Sequence, residues 1–264
     1  MQKHAAAEMH ARRDTVTDEM NIEGIVNDYK LHGIARVESF FSPDEVAIVH
    51  RQIERYKKET MPGLPPELCV REKDGKEFRN LWYMNRHDPF FQELAERPSI
   101  LELVARLVNG VPVVHQVETF NKAAGVGSAV PCHQDNSYFW QTPPDMLTIW
   151  VAIDEATMEQ GAMWYVPDSH ESMRPCKATG VAGNSMGVDG PPNPQRLPLM
   201  WATGKPGDAY IHHCQTVHGS SPNKSSKPRC ALLMVYRAAH TITDARLKAL
   251  YNSVRVRDGL PVVP

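Results

Sequence analysis

Cysteine is scarce and unpatterned in this chain: Cys69, Cys132, Cys176, Cys214 and Cys230 form an odd set with no Cys-x-x-Cys spacing. That argues against a disulfide framework or a zinc knuckle and for free, mostly buried thiols in a reducing compartment. Long apolar runs are also missing. No stretch approaches the roughly 18 apolar residues of a membrane-spanning helix, and the first twenty residues, MQKHAAAEMHARRDTVTDEM, lack the apolar core of a signal peptide. Neither charge sign dominates, since 29 Lys and Arg stand against 31 Asp and Glu for a net charge of −2. Without a basic run, nucleic acid is not expected as a main partner. No internal repeat is present. These absences leave a cytoplasmic protein with a small-molecule partner as the expectation, and oligomeric state is not legible.

What is there suggests one domain over 1–264, with a mainly helical part over 1–110, a strand-rich core over 111–240 and a C-terminal extension over 241–264. Asn21 to Tyr29 reads as a short helix closing before His32-Gly33, followed by an extended Ile34 to Val37. Ser42-Pro43-Asp44-Glu45 is a helix start: an N-cap serine, proline in the first turn and acids beside the positive end of the dipole. Val46, Val49, Ile53 and Tyr56 recur at helical spacing through about Lys58. Met61 to Glu77 reads as a loop and Phe78 to Asn85 as a strand. Pro89 to Val108 reads as two helical pieces divided near Arg97-Pro98. The period then changes. Val111 to Phe120, Met146 to Ile153, Ala162 to Val166, Asp208 to Cys214 and Arg229 to Tyr236 are short runs rich in β-branched and aromatic residues. Such strands, with long connections, indicate an α+β fold with a two-sheet jelly-roll core and helices packed on one sheet. Lys177 to Pro198, rich in Gly and Pro, reads as a loop insertion, either a substrate lid or a plain surface excursion.

Chemistry concentrates at His133-Gln134-Asp135. Alternate residues of a strand share a face, so His133 and Asp135 can hold one metal while Gln134 points away and supports them. His212, His213 and His218 are candidates for a third ligand. His218 is preferred because Gly219-Ser220 follows it, a small-residue break that lets the backbone pass close to an ion. Two imidazoles and a carboxylate on one side of an octahedral ion are the ligand set of non-haem Fe(II) oxygenases. Arg229 stands eleven residues beyond His218 at the head of an apolar strand. A hairpin would return it beside the metal, where its enclosed guanidinium needs an anion such as the far end of a dicarboxylate.

The order His-x-Asp at 133–135, Trp-x-Ala-x-Asp at 150–154, Gly-Ala at 161–162 and His-Gly-Ser-x-x-Asn at 218–223, with Arg229 following, resembles the phytanoyl-CoA dioxygenase family of Fe(II)- and 2-oxoglutarate-dependent oxygenases. The likeness begins at YKLHGIARVESFFSPDEV and covers nearly the whole chain. It implies a double-stranded β-helix (jelly-roll, cupin-like) core. It also implies Fe(II) on His133, Asp135 and His218, with 2-oxoglutarate and O2 as co-substrates and Arg229 on the C5 carboxylate. Ser220 is similar to a serine that assists that carboxylate, though a turn serine bonding its own backbone is the other reading. Gln116 matches the spacing of a pocket glutamine in some relatives; a core amide is the alternative. Thr148 and Trp150 share a strand face that walls the co-substrate pocket or serves packing alone. Where many relatives have Pro-Gly-Ser-His, this chain has Pro167-Asp168-Ser169-His170. The implied reaction is hydroxylation of an unactivated carbon with release of succinate and CO2. Asp135 argues against halogenation, in which a small residue replaces the carboxylate. A cupin-like isomerase or lyase without 2-oxoglutarate, or a non-catalytic binding protein, would share the fold. Substrate contacts are sought at Trp82, Tyr83, Asn85 and Arg86 and over Asn136 to Trp140. A small polar metabolite is favoured, because no basic cluster stands out in the linear order.

Overall fold

The computed structural model describes residues 21–181, 183–192 and 197–257. Its helical part follows local signals closely. Helix α1 (Ile22–His32) starts where the Asn21 side chain accepts from the Gly24 amide at 3.0 Å, and ends at Gly33 with φ 70°. A Cβ at Gly33 would meet the His170 ring at 2.4 Å, so both conformation and space require glycine there. Helix α2 (Pro43–Arg55) carries the full capping box, Ser42 and Glu45 each bonding the other's backbone amide. Its Val46, Val49 and Ile53 are buried, and the chain runs on as a turn of π-helix over Tyr56–Thr60. After the one-turn α3 (Met84–His87) come α4 (Pro89–Ala95) and α5 (Pro98–Leu107), each opened by proline. Asp88 caps α4 and pairs with Arg55 of α2, locking the two helices together.

Two antiparallel sheets form the core. The larger has seven strands in the order β1 (Ile34–Val37), β12 (Ala209–His213), β7 (Met146–Ala152), β14 (Arg229–Ala238), β4 (Pro112–Lys122), β3 (Phe78–Leu81) and β2 (Cys69–Arg71). The smaller has four: β11 (Met200–Ala202), β8 (Met163–Tyr165), β13 (His218–Ser220) and β5 (Val130–His133). The period-2 alternation of the central strands divides the larger sheet into two faces. Leu147, Ile149 and Val151 of β7 and Leu232, Met234 and Tyr236 of β14 pack with the buried residues of α1, α2, α4 and α5. Trp150 and Ala152 of β7 and Ala231 and Leu233 of β14 turn the other way, onto Met163 and Tyr165 of the smaller sheet. Each fully buried aliphatic side chain contributes roughly 1.5–3 kcal/mol, so the helix-side layer carries most of the cohesion.

Several expectations need correction. The stretch from Lys177 contains a hairpin, β9 (Cys176–Val181) with β10 (Asn184–Val188); residues 193–196 of it lie outside the described residues. Gly183 at φ 78° stands in its turn and Gly180 at φ 70° near the end of β9, so glycines that suggested a loop mark a hairpin end. The expected loop over Met61 to Glu77 contains two turns of 3-10 helix and β2. The strand expected over Phe78 to Asn85 stops at Leu81, because Tyr83 turns left-handed at φ 54° and starts α3. Arg229 does not return by a hairpin either. Strand β13 belongs to the smaller sheet and β14 to the larger, so the 221–228 connection crosses between sheets. Asn223 holds that crossing, its amide donating to the carbonyls of Lys122 at 3.0 Å and Lys227 at 2.8 Å. The C-terminal part adds β15 (Ile242–Thr243), paired with β6 (Gln141–Thr142), and helix α7 (Ala245–Arg257). The five cysteines are all free.

Candidate metal and co-substrate site

The smaller sheet sets the first two ligand candidates by register. His218 of β13 pairs directly with His133 of β5, so the two imidazoles project side by side with ring centroids 4.2 Å apart. Each ring presents Nδ1 to a carbonyl two residues back, Pro131 O at 2.8 Å for His133 and Thr216 O at 2.9 Å for His218. A carbonyl only accepts, so Nδ1 carries the proton and Nε2 is left with a free lone pair. Burial, reinforced by His133, pulls the His218 pKa well below its ordinary value and keeps that ring neutral, as ligation requires.

Asp135 arrives differently from the expectation. Strand β5 ends at His133, and Asp135 adopts helical angles, φ −57° and ψ −35°, at the head of the one-turn α6 (Asn136–Phe139). The carboxylate therefore meets the imidazoles by a turn in the chain rather than by strand alternation. Its Oδ1 lies 3.4 Å from both His133 Nε2 and His218 Nε2. Its Oδ2 accepts from Thr148 Oγ1 at 2.9 Å and lies 3.1 Å from His212 Nε2. Burial raises the Asp135 pKa, but the imidazoles around it, His218 first and then His133 and His212, outweigh it and hold the carboxyl well below the usual range. One atom from each of His133, Asp135 and His218 falls within 4.8 Å of the others, a group able to hold one metal ion. His212 is thus a partner of the carboxylate instead of a ligand, and Tyr165 OH lies 3.2 Å from its other nitrogen. Gln134 braces the turn, donating to Ser172 O and Gln215 O and accepting from the Arg174 amide.

A cavity of about 1160 Å³ opens over this triad, lined by both sheets. Arg229 reaches into it almost fully buried, at 1% exposure. One guanidinium nitrogen donates to Gly161 O at 3.1 Å, while Nε and Nη2 have no partner. Ser220 Oγ is likewise buried and unpartnered in the same cavity. Burial pulls the Arg229 pKa down to about 10, leaving it cationic at neutral pH. Trp150 lies under the guanidinium, its ring 5.5 Å away, and does not line the cavity. Gly219 answers a different need from the one expected. A Cβ there would meet Trp164 at 2.7 Å and the Val130 carbonyl at 3.0 Å, so neighbouring strands, rather than an ion, exclude a side chain.

The remaining candidates divide. Gln116, Thr148, Trp82, Tyr83 and Arg86 line the cavity. Asn85, Asn136 and Trp140 do not. Asn85 bonds the Val117 amide and Gln92, and Asn136 clamps Gln141, so both amides serve the backbone. Within the expected 136–140 segment it is Tyr138 and Phe139 that face the cavity. Sequence reasoning missed Glu118, which shares an inward face with Gln116 by simple alternation. It also missed Lys248, Tyr251 and Arg255 of α7, for which no local signal existed.

The phytanoyl-CoA dioxygenase (PhyH) family model matches residues 29–231, more than half of the chain. The chain belongs to the PhyH family. Among PhyH-like relatives, it is 27% identical over 228 residues to the probable alpha-ketoglutarate-dependent hypophosphite dioxygenase of Stutzerimonas stutzeri, covering 80% of this chain and 77% of that one. It is 27% identical over 257 residues to the L-proline trans-4-hydroxylase of Streptomyces griseoviridis, covering 84% and 88%. The fold matches that of the epimerase SnoN, solved with Fe3+, alpha ketoglutarate and nogalamycin RO, with a TM-score of 0.70 at 23% identity over 88% of this chain and 89% of that one. It also matches EctD from S. alaskensis, solved with 2-oxoglutarate and 5-hydroxyectoine, with a TM-score of 0.68 at 22% identity over 81% and 74%.

Proposed function

We propose that this protein is an Fe(II)- and 2-oxoglutarate-dependent dioxygenase that hydroxylates an unactivated carbon of a small polar metabolite. The observation that carries this reading is the pair of orphaned groups in the cavity that opens over the triad, Arg229 with Nε and Nη2 free and Ser220 with Oγ free, both buried. Buried polar groups without partners are costly, and the distal carboxylate of 2-oxoglutarate supplies acceptors for all three. His133, Asp135 and His218 would hold the iron, whose chemistry when bound is O2 activation coupled to decarboxylation of 2-oxoglutarate to succinate and CO2. Thr148 and His212 fix Asp135 Oδ2 so that Oδ1 faces the two imidazoles, and the carbonyls of Pro131 and Thr216 fix the imidazole tautomers. Arg229 and Ser220 orient the co-substrate. Asp135 also favours transfer of oxygen over halide, because a carboxylate that would ligate the iron stands where a small residue would have to make room for halide. A cupin-like isomerase has no use for the buried arginine.

The two sheets support a double-stranded β-helix over the core, and the whole chain is read as one catalytic domain. Five free cysteines support a cytoplasmic setting, and no helix among the described residues is long and apolar enough to cross a membrane. The test is anaerobic addition of Fe(II) and 2-oxoglutarate: a visible charge-transfer band is expected, and its absence in folded protein overturns the assignment.

A further inference from the structure

The two orphaned groups of the cavity come from different sheets. Ser220 ends β13 of the smaller sheet and Arg229 opens β14 of the larger, with the 221–228 crossing between them. One carboxylate gains from both only if their relative position is fixed beforehand, because ordering them on arrival would cost affinity.

Lys122 of β4 stands where it can fix them. It is the direct cross-strand partner of Arg229, and by alternation it follows Gln116, Glu118 and Phe120, which line the cavity. Lys122 itself is withdrawn from the cavity at 1% exposure, and its Nζ donates to Ser128 O at 2.5 Å and to Ser221 O at 2.7 Å. Its own carbonyl accepts from Asn223 Nδ2 at 3.0 Å, so the crossing is tied to both its side chain and its backbone. Burial first, then Arg229 and Arg79, bring its pKa down to about 6 against an opposing pull from Glu72. At neutral pH it is chiefly an amine, whose two N–H bonds match the two carbonyls.

The Ser221 carbonyl has a second neighbour. A Cβ on Gly161 would lie 2.4 Å from it, and Gly161 adopts φ 75°, so both space and conformation require glycine. The carbonyl of the same Gly161 accepts from Arg229 Nη1 at 3.1 Å. The contacts close a ring: Lys122 Nζ to the Ser221 carbonyl, that carbonyl against Gly161, Gly161 to Arg229, and Arg229 back across the strand pair to Lys122. Ser220, with its free Oγ, adjoins this ring at Ser221. An apolar side chain would fill the place of Lys122 without desolvating an amine; what the amine adds is a hold on the backbone beside Ser220.

We propose that Lys122 is a positioning residue for the co-substrate: through the Ser221 carbonyl it fixes Ser220 relative to Arg229, so that one distal carboxylate is received by both. The inference rests on the dioxygenase reading and deepens it.

The experiment titrates two 2-oxo acids into the full chain with Fe(II) under anaerobic conditions and reads the charge-transfer band. 2-Oxoglutarate carries the distal carboxylate, and 2-oxopentanoate has a methyl group in its place. Both chelate through the same end, so the ratio of their dissociation constants isolates the distal clamp. Lys122→Met is expected to reduce the preference for 2-oxoglutarate roughly tenfold, about one hydrogen bond to a charged group, with iron content and 2-oxopentanoate affinity retained. In a Ser220→Ala background the same substitution is expected to leave the ratio unchanged. Equal weakening of both acids makes Lys122 structural and overturns the proposal, as does an unchanged ratio in Lys122→Met or a full effect without the Ser220 hydroxyl. Should Lys122→Met give no cooperative melt, Gly161→Ala, which crowds the same carbonyl, takes its place with the same outcomes. A wild type without the band refutes the dioxygenase reading instead, so the two failures are distinguishable.

Discussion

The two faces of the larger sheet are built from the same strands and do opposite work. On β14, Leu232, Met234 and Tyr236 bury against helices, while Arg229, Leu233 and Val235 line the cavity. On β7, Leu147, Ile149 and Val151 face the helices, and Thr148 between them holds Asp135. The helix-side layer is built mainly of apolar side chains, whereas the cavity face carries the charged Arg229 with Nε and Nη2 unpartnered. Cohesion on one face lets the other carry groups that are costly without a ligand. Substitutions should separate accordingly, the cavity face altering binding and the helix face altering stability.

The largest effect is expected from His218→Ala, which should abolish turnover and stoichiometric iron while leaving the unfolding midpoint close to wild type; metal analysis beside a thermal melt reads both. Leu232→Ala on the opposite face should do the reverse, costing about 2–5 kcal/mol of stability with iron affinity unchanged below the melt. If it weakened iron binding as much as stability, the division between faces would fail. Arg229→Gln sharpens the comparison within the cavity face: 2-oxoglutarate affinity should fall roughly ten- to hundredfold with iron retained, and equal loss of both would make Arg229 structural. A pH profile probes His115 and His213, which burial first, and then Arg86, Arg237 and Lys248 for His115 and His170 for His213, bring to about 4. In the unfolded chain these rings take up a proton near pH 6.5. Stability from keeping them neutral is thus full above about 6.5 and is lost as pH falls toward 4. The apo-protein melt should drop across that window, and His213→Gln should make the slope shallower. Smallest is Ser42→Ala, expected to cost about 1 kcal/mol through the lost cap with no change in turnover.

What could be read from the linear order was local. The Ser42 capping box and the alternation of β4, β7, β12 and β14 needed only residue types at short spacing. Asn85, Asn136 and Trp140 looked like pocket residues because they neighbour true ones. Whether an amide faces a cavity or its own backbone depends on turns such as the left-handed Tyr83 and Trp140, at φ 54° each. The hairpin over 176–188 was hidden for a related reason, since glycine marks loops and hairpin turns alike.

By itself the sequence determined the inventory: two histidines and an aspartate in ligating order, a lone arginine heading an apolar strand, and a strand period that gives each of these a face. Tertiary structure decided which sheet each strand joins. Because β13 and β14 enter different sheets, Arg229 and Ser220 reach the same cavity from two sheets instead of along one hairpin. It also brought His212 to Asp135, Glu118 to the chamber wall, and Lys248 from α7 to a cavity begun by β4. Periodicity is set within a few residues of the chain, whereas strand partnership depends on which distant apolar faces bury one another, and that competition is settled only in the folded whole.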